Sequence, residues 1–433
     1  PQSADKEKIF LSRKQSIEYT VASDEFKKLP GSPIAYWASS KIRRIFDESD
    51  SLRSVAAVGK GLDTGDNDHF LKLWFEVGEF DYWVPCQKGG PFRKWSGNQD
   101  YVINWRDDGA ELRASLRSNL RNAQYYFQPG ITWTRVSSSL PAFRFFEAGQ
   151  IFESTGPCIF SNDSDRLYLI ALLNSNLIPR FLELIAPTLD FQSGHISSLP
   201  VRIEKKHREE LCKLATECIE LARSDWNAFE HSRDFRFSPL LPEGSVRSGR
   251  LDKDFEKWRN DCMAQVAHLL ANEERINSIF LAIYGLSGEV SPSVQTQNVT
   301  LTVNPAYRYG PGLSDEEYCR EVRKDSGREL ASYIVGCLMG RYSLDAPGLI
   351  YAHTGNEGFD PSRYQTFPAD DDGIVPITDE AWFDDDAANR IREFVRVVWG
   401  KVTEDENMAW LAESLGSRAN ESPDDTIRRY LSK

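Results

Sequence analysis

Three cations, two aromatic rings and several turn-forming residues crowd into the stretch Gln87-Lys88-Gly89-Gly90-Pro91-Phe92-Arg93-Lys94-Trp95-Ser96-Gly97-Asn98. Chemistry of that kind suits a nucleic acid: lysine and arginine meet phosphate, small residues let the backbone come close, and amides or guanidinium groups read base edges. Gly130 to Ser139 adds Arg135 and the hydroxyls of Ser137 and Ser138. Lys88, Arg93, Lys94 and Arg135 are therefore the expected phosphate or base-edge contacts, with Asn67, Asn98, Ser137 and Ser138 as polar readers. On this reading Arg93→Ala weakens DNA binding and flattens its salt dependence. A solvated hairpin with Trp95 and Trp133 buried uses the same residues equally well, and the segment alone does not separate the two.

Other chemistry finds less support. Val55-Ala56-Ala57-Val58-Gly59-Lys60-Gly61 has the look of a strand and glycine turn for S-adenosylmethionine or a dinucleotide, but the next glycine, Gly65, comes one residue late and is followed by turn-forming Asp66-Asn67. Asn304-Pro305-Ala306-Tyr307 resembles the Asn-Pro-Pro-Tyr turn of amino methyltransferases, without its second proline and without a glycine-rich cofactor strand upstream. It reads as a turn ending a strand over Val299–Val303. Seven scattered cysteines and six histidines form no metal-ligand spacing, so buried thiols in a reducing compartment and no metal are expected. No hydrolase elbow or phosphate-binding loop occurs, and no catalytic residue is assigned.

Charge is unevenly spread. The net charge is −13, yet residues 1–200 carry 23 basic and 24 acidic residues while the remainder carries 29 and 41. Residues 83–144 hold nine basic residues against four acidic ones, a local surplus that phosphate contact requires. No apolar run is long enough to span a bilayer and no secretory segment opens the chain, so a cytoplasmic protein without membrane contact is expected.

The elements that must position these residues change character along the chain. Short apolar runs broken by glycine and aspartate predict strands at Leu73–Val77, Tyr101–Trp105, Gly130–Val136 and Gln150–Glu153, with a helix between them whose inner stripe is Leu112, Leu116 and Leu120. From Ser164 a helix kinked at Pro179 is expected, then helices over Lys206–Trp226 and Leu251–Ile283, the second on the order of 50 Å long. That long helix reads as a rigid spacer or as a bundle helix. Ser314 with Glu317, and Ser422 with Pro423, Asp424 and Asp425, predict capped helix starts. The acidic loop Gly355–Asp386 reads as a solvated face, and the acidic C-terminal half as a surface for proteins rather than DNA. The fold class expected is mixed α+β: a recognition domain over 1–203, a helical spacer over 204–290 and a mainly helical C-terminal domain over 291–433.

Several separated segments, in order, resemble the PglX family of adenine-specific methyltransferases from BREX phage-defence systems. They include Leu29-Pro30-Gly31-Ser32-Pro33-Ile34-Ala35-Tyr36-Trp37, Gly61 to Asn67, Lys88 to Trp95, Tyr126 to Trp133, Leu172 to Asn176 and Gly336 to Asp345. The resemblance implies the C-terminal half of such an enzyme: a target recognition domain closed by Phe191 to Pro200, then the helical part. It further implies a Rossmann-like methyltransferase domain upstream of Pro1 that binds S-adenosylmethionine, with no cofactor site in this chain. Double-stranded DNA, that upstream domain and other BREX proteins are the implied partners. The alternative is a protein-interaction scaffold in a defence complex that never reads DNA; a third reading, a free-standing enzyme using Asn304 to Tyr307, requires S-adenosylmethionine binding by this chain.

Overall fold

Cys158, Ile159 and Phe160 form a strand with no polar member, and both faces of its sheet are covered. Cys158 and Phe160 point into one apolar cluster while Ile159 points into another, the alternation that a period of two imposes on a strand. The computed structural model describes residues 21–77, 82–186, 188–241, 249–352 and 358–433.

Two four-stranded sheets build the N-terminal part. The first has the order β2 (Ala57–Gly59), β9 (Cys158–Phe160), β6 (Gly130–Trp133), β7 (Phe143–Phe146), all antiparallel. The second has the order β3 (Leu71–Leu73), β5 (Tyr101–Asn104), β4 (Trp83–Gln87), β8 (Ile151–Phe152), with β8 parallel to β4. Leu71, Cys86, Ile103 and Phe152 from one sheet meet Phe146, Cys158 and Phe160 from the other in a small shared core. A two-stranded pair, β1 (Asp50–Ser51) with β10 (Pro200–Val201), ties the start of this part to its end.

Helices cover the outer face of the first sheet. Asp163–Leu173 and Leu177–Ile185 meet at 77°, and the break lies at Asn174–Asn176 rather than at Pro179. Pro179 sits in the first turn of the second helix, where a missing N–H costs no intrahelical bond. Lys205–Asn227 and Leu251–Ile283 follow, as their leucine spacing predicts. The 33-residue second helix spans about 50 Å. Its first turns, with Leu251 and Phe255, belong to the C-terminal core, whereas Cys262 to Leu281 belong to the core beneath the first sheet, with partly buried Trp258 packed against both. The apolar core thus runs without a break past residue 203, and the long helix acts as a shared beam rather than a bare spacer.

The C-terminal core is helical. Asp315–Leu338, Ala387–Trp399, Glu404–Leu415 and Pro423–Leu431 pack together around Phe394, Leu330 and Met408. Ser314 and Glu317 form a reciprocal capping box, and Ser422 caps the last helix with Pro423 inside its first turn. Three elements differ from expectation: the strand predicted at Leu73–Val77 lies instead over Leu71–Leu73, with Trp74–Glu76 a short 3-10 helix. No strand forms over 299–303, and the helix around Leu112 ends at Ala114. Asp107, Asp108 and Gly109 take left-handed dihedrals at its start, Leu112 is buried, and Leu116 stands fully exposed in the loop beyond. All seven cysteines are unpaired and five of them are buried. Among the described residues no single helix is long and apolar enough to cross a membrane, and the bent pair that passes by composition is packed inside the core.

Candidate nucleic-acid interface

The cation-rich loop after β4 is folded inward. Gly89, Gly90, Trp95, Gly97 and Asn98 all have positive φ, so the segment coils tightly instead of reaching out. A Cβ on Gly97 would lie 2.4 Å from Nε of Arg93, so the glycine makes the channel that the guanidinium occupies. Arg93 is 2% exposed. Its Nε donates to the Ser96 carbonyl (2.9 Å), Nη1 to Thr302 Oγ1 (3.0 Å), and Nη2 to the Ala222 carbonyl (3.1 Å) and to Asp225 Oδ2 (2.6 Å). The Trp226 ring lies 5.0 Å from it. Asp225 also accepts from the amides of Thr302 (2.7 Å) and Val303 (2.9 Å).

Lys94 is equally committed. Its ammonium pairs with Glu273 in the middle of the long helix, Trp95 Nε1 donates to the same carboxylate (2.7 Å), and the Lys94 amide donates to Thr300 Oγ1 (2.9 Å). Asn98 is buried too, with Nδ2 donating to the Pro91 carbonyl (2.9 Å). Arg93, Lys94 and Asn98, expected to face DNA, are therefore interior residues: Arg93 and Lys94 fasten the β part to the two long helices, and Asn98 braces the loop itself. Arg144 joins them: it is 1% exposed, donates to the Arg93 carbonyl and Thr134, and burial lowers its pKa to about 10. Carboxylates compensate the desolvation of Arg93 and Lys94, whereas Arg144 makes no ion pair among the described residues and keeps its Nε without a partner.

The remaining expected residues lie at the surface. Arg135 makes a two-pronged pair with Asp190 (2.8 and 2.9 Å) and stays part-exposed; those hydrogen bonds hold the Asp190 carboxyl down at about 2. Lys88 is half-buried with its ammonium 5.0 Å from the Tyr101 ring. Asn67 is exposed and accepts from Thr64 Oγ1 (2.6 Å). Ser138 is exposed, and half-buried Ser137 accepts the Ser139 amide (3.1 Å).

Backbone bonds join these positions to cations that the sequence reading did not single out. Thr155 donates to the Lys88 carbonyl (2.7 Å) and accepts from the Arg135 amide (3.1 Å); its neighbour Ser154 donates to Leu62 (3.0 Å). Asp63 and Asn119 exchange backbone hydrogen bonds, and a Cβ on Gly65 would lie 2.4 Å from Arg117 Cβ, so the loop bearing Arg117 and Arg121 is pressed against that strand end. One edge thus carries Lys88, Arg135, Arg117, Arg121 and Asn67. Arg121 pairs with Asp63 and Arg113 with Asp108. Among the described residues Lys88, Arg106 and Arg117 have no carboxylate partner, Arg106 lying 4.0 Å from the Tyr82 ring. Nothing in the sequence marks which of nine cations stay free, because the carboxylates that neutralise Arg93 and Lys94 lie 132 and 179 residues away.

Asn304 to Tyr307 is a helix start. Asn304 is 1% exposed, donates through Nδ2 to the carbonyls of Thr296 (2.7 Å) and Val299 (2.8 Å), and accepts the Ala306 amide at Oδ1 (3.2 Å), while Tyr307 donates to the Phe92 carbonyl. Its amide is spent on capping the short helix Pro305–Arg308. Gly61 has an equally local task, since a Cβ there would lie 1.8 Å from the Phe152 carbonyl.

Over 449 aligned positions, 99% of the chain, the sequence is 40% identical to the adenine-specific methyltransferase BrxX of Escherichia coli O9:H4 (strain HS). Over 457 positions, 98% of the chain, it is 34% identical to the adenine-specific methyltransferase PglX of Lacticaseibacillus casei (strain Zhang). This is a PglX-like chain. It spans 36% of the length of each of these relatives. No family model matches it. The PglX-like chain thus pairs near-complete similarity to part of two methyltransferases with a surface edge on which Lys88 and Arg117 lack a carboxylate partner among the described residues, and an Asn-Pro-Ala-Tyr turn engaged in its own folding.

Proposed function

We propose that this chain is the DNA-reading part of an adenine-specific DNA methyltransferase of a BREX-type defence system. The observation that carries the reading is the similarity along 99% of the chain to an adenine-specific methyltransferase of which it spans 36%. Methyl transfer from S-adenosylmethionine then falls to a part of the enzyme that these residues do not cover, in the cytoplasm where the duplex lies. The contact surface is the edge with Lys88, Arg117 and Arg135, with Asn67, Ser137 and Ser138 beside it, and Arg93, Lys94 and Asn98 behind it as its foundation. Arg135 reaches a phosphate only by trading its part-exposed, two-pronged carboxylate partner Asp190, so it contributes less than the unpaired Lys88 and Arg117.

Duplex binding measured by fluorescence anisotropy across a salt series tests this. The logarithm of the affinity is expected to fall linearly with the logarithm of salt, and Lys88→Gln or Arg117→Gln is expected to reduce that slope by roughly 1 each. Absence of salt-dependent binding would leave a protein scaffold as the better account. Unchanged slopes in both variants would move the contact surface elsewhere on the molecule.

A further inference from the structure

A second cationic feature is built from other residues. A hollow of about 840 Å³ opens between the segment Lys27–Ser32, the turn after β1, and the stretch Gly194–Pro200. Lys27, Lys28, Arg53 and His195 line it, together with five serines, and Asp50 is the one carboxylate among the lining residues. Arg53 is exposed and has no carboxylate partner among the described residues. Its backbone is fixed, because the neighbouring Leu52 is fully buried and its amide donates to the Leu199 carbonyl (2.8 Å). Lys27 and Lys28 are held by Asp24 and Glu25 on their own turn, and the first of these pairs is largely in solvent. His195 makes no side-chain hydrogen bond among the described residues, and its Nδ1 is buried without a partner.

An exposed arginine without a carboxylate partner, two lysines and several hydroxyls around one hollow are what a tetrahedral anion with several acceptor oxygens requires. A carboxylate has fewer acceptor positions to share among them, and a divalent cation meets the wrong charge. The hollow also adjoins the edge described above. Val136 bridges to Asp190, the partner of Arg135, and Asp190 lies just before the stretch Gly194–Pro200 that lines the hollow. We propose that the hollow binds a phosphate group, with Arg53 as its principal ligand and His195 as part of its wall.

Two probes separate the sources of that phosphate: inorganic phosphate, followed by ³¹P line broadening at low ionic strength, and duplex DNA, followed by anisotropy. Arg53→Gln and His195→Gln are exposed or half-buried changes compatible with folding, and Lys401→Gln, on the C-terminal part, serves as the control. Arg53→Gln is expected to weaken at least one probe by roughly tenfold or more, since it removes a charge-assisted hydrogen-bond donor to the anion. His195→Gln should act in the same direction on the same probe, and Lys401→Gln on neither. Loss of DNA affinity alone assigns the site to the phosphodiester backbone, and loss of inorganic phosphate binding alone assigns it to a free anion. The second outcome stands even if the DNA reading above fails. Equal behaviour of wild type, Arg53→Gln and His195→Gln toward both probes would overturn the proposal.

Discussion

Asp225→Ala is expected to destabilise the protein by about 3–5 kcal/mol, the penalty for leaving one member of a buried ion pair without the other. Three groups lose their acceptor together: the Arg93 guanidinium and the amides of Thr302 and Val303. Asp225 and Arg93 are both almost completely buried, so water cannot substitute. Urea unfolding gives the number directly. Arg93→Ala should destabilise by a comparable amount, and the double variant by less than the two added, because residues sharing one network are not independent. This replaces the expectation that Arg93→Ala acts on DNA affinity through a lost phosphate contact. A folded Arg93→Ala protein of wild-type stability with a flattened salt slope would reverse the assignment and place Arg93 back at the interface.

The contrast between Arg93 and Arg117 marks how far the sequence could be read. Periodic apolar residues located the helices Lys205–Asn227 and Leu251–Ile283 nearly to their ends, because a stripe at three- and four-residue steps has one economical way to be buried. Ser314 and Ser422 disclosed their helices through local hydrogen bonds that need no tertiary context. The mixed α+β class followed from the change of period near Ser164. Side-chain direction in the loops had no such local cause. Gly90 and Gly97 announce a tight turn, but whether it carries Arg93 outward or inward depends on Asp225, and the position of Asp225 depends on how the helix bearing it packs. Leu116 fits a helical stripe by spacing and yet lies in solvent, because the helix that buries Leu112 ends at Ala114. Charge type is a local property of a sequence, whereas charge pairing is a property of the fold.

His231 gives the network a pH signature. Its imidazole sits against Trp226 and Phe229, its Nε2 is buried without a partner, and its carbonyl accepts from Trp74 Nε1 (2.9 Å). Burial lowers its pKa to about 4, with Arg93 and Arg308 acting in the same direction and Asp225 against them. The unfolded chain titrates near 6.5, so between that value and about 4 the unfolded state binds more protons than the folded one, and stability rises with pH. The contribution is fully present above about pH 6.5 and is lost as the pH falls toward 4, amounting to roughly 2–3 kcal/mol. Glu230 and Glu329, whose carboxyls burial pushes up, act with the opposite sign by gaining stability as they protonate. The imidazole must therefore be read as the difference between wild type and His231→Gln, in urea midpoints taken from pH 7.5 to pH 4.5. That difference should shift toward the variant on acidification, since glutamine holds no charge to bury. A pH-independent difference would mean that the imidazole is solvated in the folded state, and that the packing of Trp226 over Arg93 is looser than the network requires.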